Sequence, residues 1–213
     1  MAKRAVKGGT RARQKADIRR RIVDAALALF RSRGFEQTTT KAIARKAGIA
    51  EGTVFNYFPT KDDIALEFFH QEVAHAIAAV RADRRLGRAP LDEQLFALIQ
   101  HQLEYLAPHE RFIGAAFVRA LNPGSALNPV HLKARALNTE YLLFVQELFE
   151  RAAADGQIAP LGWLPPDIFW IYYVGVLLYW LNDRSPGKQA TLAFLDRSLK
   201  LGVALLRDPR AKP

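Results

Sequence analysis

Apolar residues recur at three- and four-residue steps along most of this chain, the spacing of helices with one buried face. Ile18, Ile22, Ala25, Ala26, Leu29 and Phe30 predict a helix over 17–33, closed by Gly34, with Phe35 placed to plug a small core. From Thr38 to Phe58, TTTKAIARKAGIAEGTVFNYF, two short helices are predicted around a tight turn. Thr38 and Thr39 supply capping hydroxyls, and Ile43, Ala44 and Ala47 bury one face. Gly48 ends the first helix, and Val54 and Phe58 turn the second inward. A long helix with Ile64, Phe68, Val73, Ile77 and Val80 follows over 61–85. Further helices are predicted near 91–107, 110–121, 130–155, 165–183 and 188–207. Breaks fall at Pro108, Asn122 to Gly124, Asn128 to Pro129, Gly156 to Pro160 and Ser185 to Gly187. No alternation of Val, Ile and Thr suggests a sheet, and no long repeat appears. The expected fold class is all-α, an N-terminal three-helix helix-turn-helix domain followed by a larger helical body.

Charge sharpens this division. Residues 1–62 hold 15 Lys/Arg against 5 Asp/Glu, whereas residues 63–213 hold 16 of each, so the net +10 lies wholly with the helix-turn-helix. A basic excess confined to one module is the electrostatic footprint of nucleic-acid binding, and a protein held on membranes by charge has no reason to segregate it so. The expected parts are a basic disordered arm at 1–16, a DNA-binding domain at 17–62 and a larger helical body at 63–213. The arm, with Lys3, Arg4, Lys7, Arg11, Arg13 and Lys15, is either a solvated tail or a segment that settles on DNA. It has no apolar stretch of the kind a signal peptide needs.

The second short helix presents Glu51, Gly52, Thr53, Asn56 and Tyr57 on its outer face, small or polar groups suited to a major groove. GTVFNYFPTKDDI, with GF at 34–35 ahead of TT at 38–39, closely resembles the DNA-binding domain of the tetracycline-repressor (TetR) family over residues 17–66. The resemblance implies a three-helix reading head whose third helix enters the groove. It implies DNA contacts from Thr38, Thr39, Lys46, Glu51, Gly52, Thr53, Asn56, Tyr57 and Lys61, and the run Arg19–Arg21 is placed to face phosphates. Ala50 stands where a capping Ser is common and Phe55 where Tyr is frequent, so both depart from the family pattern.

In the body, the run IFWIYYVGVLLYWL at 168–181 is too short to span a membrane and is flanked by Asp167 and Asp183. A helix apolar on every side is covered on both sides. The family pairs its last two helices with those of a second subunit, which implies a homodimer here. Ile171, Gly175, Leu178, Leu192, Leu195, Leu199, Val203 and Leu206 are the expected interface, and Gly175 and Gly202 either mark close helix approaches or are merely tolerated. Dense aromatics, among them Trp163, either pack the core or line an apolar cavity. The resemblance implies a small-molecule inducer there, with Phe96, Phe112, Phe117, Tyr141, Phe144 and Tyr173 as the expected lining. Few charges other than Glu104 and Glu140 are candidates for inward faces, so a lipophilic or aromatic ligand is expected.

Catalytic signatures are missing. Cysteine is absent, histidines 70, 75, 101, 109 and 131 form no helical ligand pair, and neither G-x-S-x-G nor a P-loop occurs. No catalytic residue, metal or cofactor is expected. The reading is a cytoplasmic, dimeric repressor released from a palindromic operator by a ligand. The alternatives are a ligand-independent or architectural DNA binder and, more remotely, a membrane-associated or catalytic helical protein.

Overall fold

Glycines and hydroxyl caps divide the chain close to where its pattern puts the breaks. A computed structural model describes residues 3–128, 131–160 and 167–207, which fold into helices joined by turns, with no strand among them. Pro129, Trp163, Pro165 and Pro166 lie outside the described residues. The chain divides into two compact units, Met1–His70 with His109–Arg135, and Gln71–Pro108 with Ala136–Pro213. This differs from a single boundary at 62/63, because two stretches of the expected body, residues 63–70 and 109–135, join the N-terminal unit.

The first unit contains α1 (Lys3–Arg33), α2 (Thr40–Ala47), α3 (Glu51–Tyr57), the start of α4 (Lys61–Ala82) and α6 (Glu110–Ala120). Its core joins Ile22, Phe30, Phe35, Ile43, Val54, Phe58, Ile64, Phe68 and Phe112, all at most 1% exposed. Phe112 stacks on Phe30 at 4.8 Å and meets Phe35 and Phe68 at 5.5 and 5.6 Å, so α6 completes this core. α1 begins at Lys3, and the segment expected as a disordered arm is instead continuous with it. Packing of Ile22 to Phe30 supplies the costly nucleus, and Ala, Arg, Lys and Gln then propagate a helix readily.

Local chemistry sets the helix ends. Thr39 caps α2 by accepting from the Ala42 N–H at 3.2 Å. Gly48 ends it at φ +67°, its N–H turned to the Ala44 and Arg45 carbonyls. α3 starts from Ala50 without a side-chain cap, as its sequence implies. Thr60 and Asp63 cap α4 reciprocally, Thr60 N–H to Asp63 Oδ2 at 2.9 Å and Asp63 N–H to Thr60 Oγ1 at 3.2 Å. Beside them Asp62 is buried, accepting from Arg119 Nε at 2.8 Å and Ser125 Oγ at 2.9 Å. That carboxylate ties α6 and the turn after it to the start of α4.

The second unit contains the rest of α4, a 3-10 turn at Leu86–Arg88, α5 (Leu91–Leu106), most of α7 (Leu132–Ala154), α8 (Asp167–Asn182) and α9 (Gln189–Leu206). Leu95, Leu98, Ile99, Tyr141, Val145, Val176 and Leu195 form its core. Asp183 fixes the corner between α8 and α9, accepting from the N–H of Ser185 at 2.8 Å and from the N–H and hydroxyl of Thr191 at 2.8 and 2.7 Å. Those bonds hold its carboxyl well below the usual range.

The expected dimer stripe on α9 needs correction. Leu195, Leu199 and Val203 are at most 6% exposed and Leu192 and Leu206 are half-buried, because α9 turns this seam onto α5 of its own unit. Phe194, Leu201 and Leu205 are the exposed apolar residues of α9 instead. On α8, Ile171, Gly175 and Leu178 are exposed, as are Ile168 and Tyr179.

Replacing Asp62 by Ala removes the acceptor shared by Arg119 and Ser125. The expected loss is about 2–3 kcal/mol, at or below the low end for a broken buried pair because Arg119 remains over a third exposed to water. Urea unfolding of the variant measures it.

Candidate functional site

The helix-turn-helix is a small rigid body held by polar ties. Thr40 Oγ1 donates to Glu51 Oε1 at 3.0 Å, fastening the start of α2 to the start of α3. Arg21 Nη2 donates to the Ala47 carbonyl at 2.5 Å, where a cation suits the negative end of α2. Arg19 donates to Glu67 at 2.5 Å and lies over the Phe58 ring at 4.6 Å. Arg20 pairs with Asp17 at 2.6 Å. The run Arg19–Arg21, expected to face phosphates, is thus engaged within its own unit.

Two further expected contacts are also engaged internally. Thr38 is 2% exposed and donates to the Gly34 carbonyl at 2.8 Å, so its hydroxyl holds the turn after α1. Lys61 Nζ donates to the Phe35 carbonyl at 2.6 Å and lies over that ring at 4.3 Å. Burial pushes its ammonium below the ordinary lysine value, against the pull of Glu36. A lysine seated on carbonyls and a ring is a strut of the head before it is a phosphate clamp.

The other expected positions reach the surface. Gly52 and Asn56 are exposed, Glu51, Thr53 and Tyr57 half-buried, and Thr39 and Lys46 exposed on α2. A Cβ at Gly52 would meet nothing within 4 Å, so the face there is open. Lys41 and Arg45 are exposed with Lys46, and Phe55 is 46% exposed. Phe55 was legible as an outward residue, since Val54 and Phe58 take the inward positions.

The second unit holds a different site. Glu72 of α4 is 2% exposed, and Tyr173 of α8 donates to its Oε1 at 3.1 Å. Burial pushes the Glu72 carboxyl up to about 7, with Gln102 and Tyr173 pulling the other way. Gln102 of α5 lies near enough to act on Glu72, yet neither its nitrogen nor its oxygen has the alignment of a hydrogen bond. Tyr141 of α7 sits 5.7 Å from both Tyr173 and Trp170, ring to ring. Burial and then the Glu72 charge push the phenols of Tyr141 and Tyr173 well above the ordinary value.

The expected cavity lining is divided accordingly. Tyr141 and Tyr173 come together, and Phe144 is buried one turn along α7 with Arg81 over its ring at 5.0 Å. Phe96 is half-buried on α5. Phe112 and Phe117 belong to the first unit, where Phe112 is core. Glu104 and Glu140 are exposed, which corrects their expected inward placement. Glu72 and Gln102 take that role, and both carried a signal. Glu72 continues the line Ile64, Phe68, Ala76, Val80 at four-residue steps, and Gln102 interrupts Leu95, Leu98, Ile99 and Leu106. At the end of α4, an open cleft of about 650 Å³ is lined by Arg84, Arg85, Arg88, Ala89 and Glu93.

Among the described residues, no helix is long and apolar enough to cross a membrane, and no cluster of His, Asp and Glu is placed to hold a metal ion. Residues 22–68 match the family described as bacterial regulatory proteins, tetR family, and residues 94–211 match the tetracyclin repressor-like C-terminal domain. The chain belongs to the TetR family. This TetR-family protein is a DNA-binding transcriptional regulator.

The regulator is 24% identical over 197 residues to the HTH-type transcriptional repressor KstR of Mycolicibacterium smegmatis, covering 92% of this chain and 89% of that protein. It is 30% identical over 95 residues to the fatty acid metabolism regulator protein of Bacillus subtilis, and this match spans about half of each, 45% and 48%. Among solved structures, Thermus thermophilus FadR in complex with lauroyl-CoA superposes with a TM-score of 0.65 at 27% identity, over 92% of this chain and 99% of that one.

Glu72 gives the regulator a definite pH signature. The unfolded chain releases this proton near 4.5 and the folded chain near 7, so the folded state holds more protons between those values. Its contribution to stability is therefore lost as pH rises from about 4.5 to about 7, a fall of roughly 3 kcal/mol. Glu72→Gln removes this component, and melting temperature against pH for the two proteins, taken as a difference, measures it.

Proposed function

We propose that this regulator is a homodimeric repressor that occupies a palindromic operator and is released by a small lipophilic ligand. The observation that carries the DNA reading is the outer face of α3, where Gly52, Phe55 and Asn56 stand exposed and Thr53 and Tyr57 half-exposed on a head whose Arg19, Arg21, Thr38 and Lys61 are tied down. Asn56 has the donor–acceptor pair that reads adenine, and Thr39, Lys41, Arg45 and Lys46 offer contacts to phosphates.

The second unit supports the proposed ligand class. Its aromatic cluster with few charges suits a lipophilic molecule, and long-chain acyl-CoA thioesters are the class tested first, given the resemblance to FadR bound to lauroyl-CoA. The cleft at Arg84, Arg85 and Arg88 presents three guanidinium groups that suit the phosphates of such a molecule. Release works by population shift. α4 is one continuous helix carrying Lys61 of the head and Glu72 of the cluster, so a ligand that prefers one setting of α4 biases the head. The dimer face is assigned to Ile168, Ile171, Gly175, Leu178 and Tyr179 of α8 with Phe194, Leu201 and Leu205 of α9. A row of exposed apolar residues on two adjacent helices marks an association surface.

Selection of bound duplexes from a random pool, repeated across salt concentrations, tests the DNA reading. A palindrome with affinity falling steeply as salt rises is expected. Asn56→Ala and Tyr57→Ala should each lower operator affinity about tenfold with unchanged melting, whereas Lys61→Ala should lower both. Lack of any duplex enrichment would sink the assignment of α3.

Sedimentation tests the dimer. Leu201→Glu should convert dimer to monomer with little loss of helicity, while Leu195→Ala should cost about 3 kcal/mol of stability as a cavity in the protomer core. A Leu201→Glu protein that sediments like the wild type removes this face from the interface.

A further inference from the structure

The cluster around Glu72 leaves polar atoms unpaired where interiors rarely do. Gln102 and Tyr141 are 0% exposed, yet Gln102 Nε2 and Oε1, the Tyr141 hydroxyl and Trp170 Nε1 all lack a hydrogen-bond partner. Buried polar groups are almost always satisfied, because an unmade bond costs the full desolvation of the group. Turning Gln102 Nε2 onto Glu72 would still leave Gln102 Oε1, Tyr141 and Trp170 without partners. Side chains from α5, α7 and α8 share this deficit at one place, within an aromatic wall of Tyr141, Phe169, Trp170 and Tyr173.

We infer that this cluster is the polar anchor of the effector site and that it receives a neutral oxygen acceptor, such as the carbonyl of a thioester or ketone, in preference to a carboxylate or an ammonium. The inference deepens the proposed function and rests on it for the second unit being the ligand-binding one. The count of free groups decides the chemistry. Gln102 Nε2, Trp170 Nε1 and the Tyr141 hydroxyl can donate, whereas only Gln102 Oε1 and that same hydroxyl can accept, so donors outnumber acceptors. A carboxylate would supply acceptors but would place its own charge in an interior where burial already disfavours that of Glu72. Because burial raises the Glu72 carboxyl to about 7, much of it is neutral near pH 7 and adds a further donor. Three rings beside a carboxyl could also hold an ammonium. An ammonium, however, would leave the donors of Tyr141, Trp170 and Gln102 unanswered.

The test compares wild type with Tyr141→Phe and Gln102→Leu, using lauroyl-CoA, 2-tridecanone, laurate and dodecylamine as probes in titration calorimetry, with melting temperatures of the unliganded proteins. Both variants should melt no lower than wild type, since each removes an unpaired buried group. Each should bind lauroyl-CoA about tenfold more weakly. Laurate and dodecylamine should bind the wild type more weakly than 2-tridecanone does. Lower melting of both variants would show that these atoms hold the fold and would overturn the inference. Undiminished lauroyl-CoA binding by the variants would overturn it too, as would dodecylamine binding more tightly than the ketone. If lauroyl-CoA fails to bind but 2-tridecanone binds in a Tyr141-dependent way, the thioester reading fails and the anchor stands. If neither binds the wild type, both fail.

Discussion

A line of buried side chains at four-residue spacing along α4, Ile64, Phe68, Glu72, Ala76 and Val80, is the constraint around which each unit is built. Such a line must be covered along its whole length, because every exposed turn of it would return apolar surface to water. In the first unit the aromatic core of Phe30, Phe35 and Phe112 packs near Phe68, with Asp62 and the Thr60–Asp63 cap fixing where the helix starts. In the second unit the same line carries Glu72, where an aliphatic residue would pack with no polar cost. One helix thus presents a capped, well-paired segment to the first unit and a buried carboxyl to the second.

The basic excess of the N-terminal part serves two purposes that composition cannot separate. Arg19, Arg21 and Lys61 spend their charge inside the head, on Glu67, on the end of α2 and on the carbonyl of Phe35. These ties make the helix-turn-helix rigid, which a reader of base edges needs because hydrogen bonds to bases tolerate little misplacement. Lys41, Arg45 and Lys46 remain at the surface of α2. Net charge therefore pointed to the right module but overstated how many cations face outward.

The second unit departs from good packing at the Glu72 cluster. Buried donors left without partners gain hydrogen bonds from a ligand that supplies acceptors. Such a site lowers the stability of the unliganded fold and raises the differential binding that a switch depends on. Because Glu72 stands on α4, a ligand at the proposed site would act on the same helix that holds Lys61 and the Thr60–Asp63 cap.

The sequence by itself determined the all-helical class, the helix breaks at Gly34, Gly48, Pro108 and Gly156, the uncapped start of α3 and the position of the reading head. Those features rest on local rules of spacing, capping and glycine conformation, which act over a few residues. Tertiary structure alone decided which of two apolar seams on α9 turns inward, because Leu195–Leu199–Val203 and Phe194–Leu201–Leu205 are comparably hydrophobic and packing against α5 chooses between them. It also moved α6 into the first unit, through Phe112 and the Arg119–Asp62 pair, and extended α1 to Lys3. The same holds for Glu72 and Gln102: each stands on an apolar stripe legible in the sequence, but only the convergence of α4, α5, α7 and α8 makes them one site. Periodicity reports that a face is buried, and what buries it is settled by residues far away in the chain.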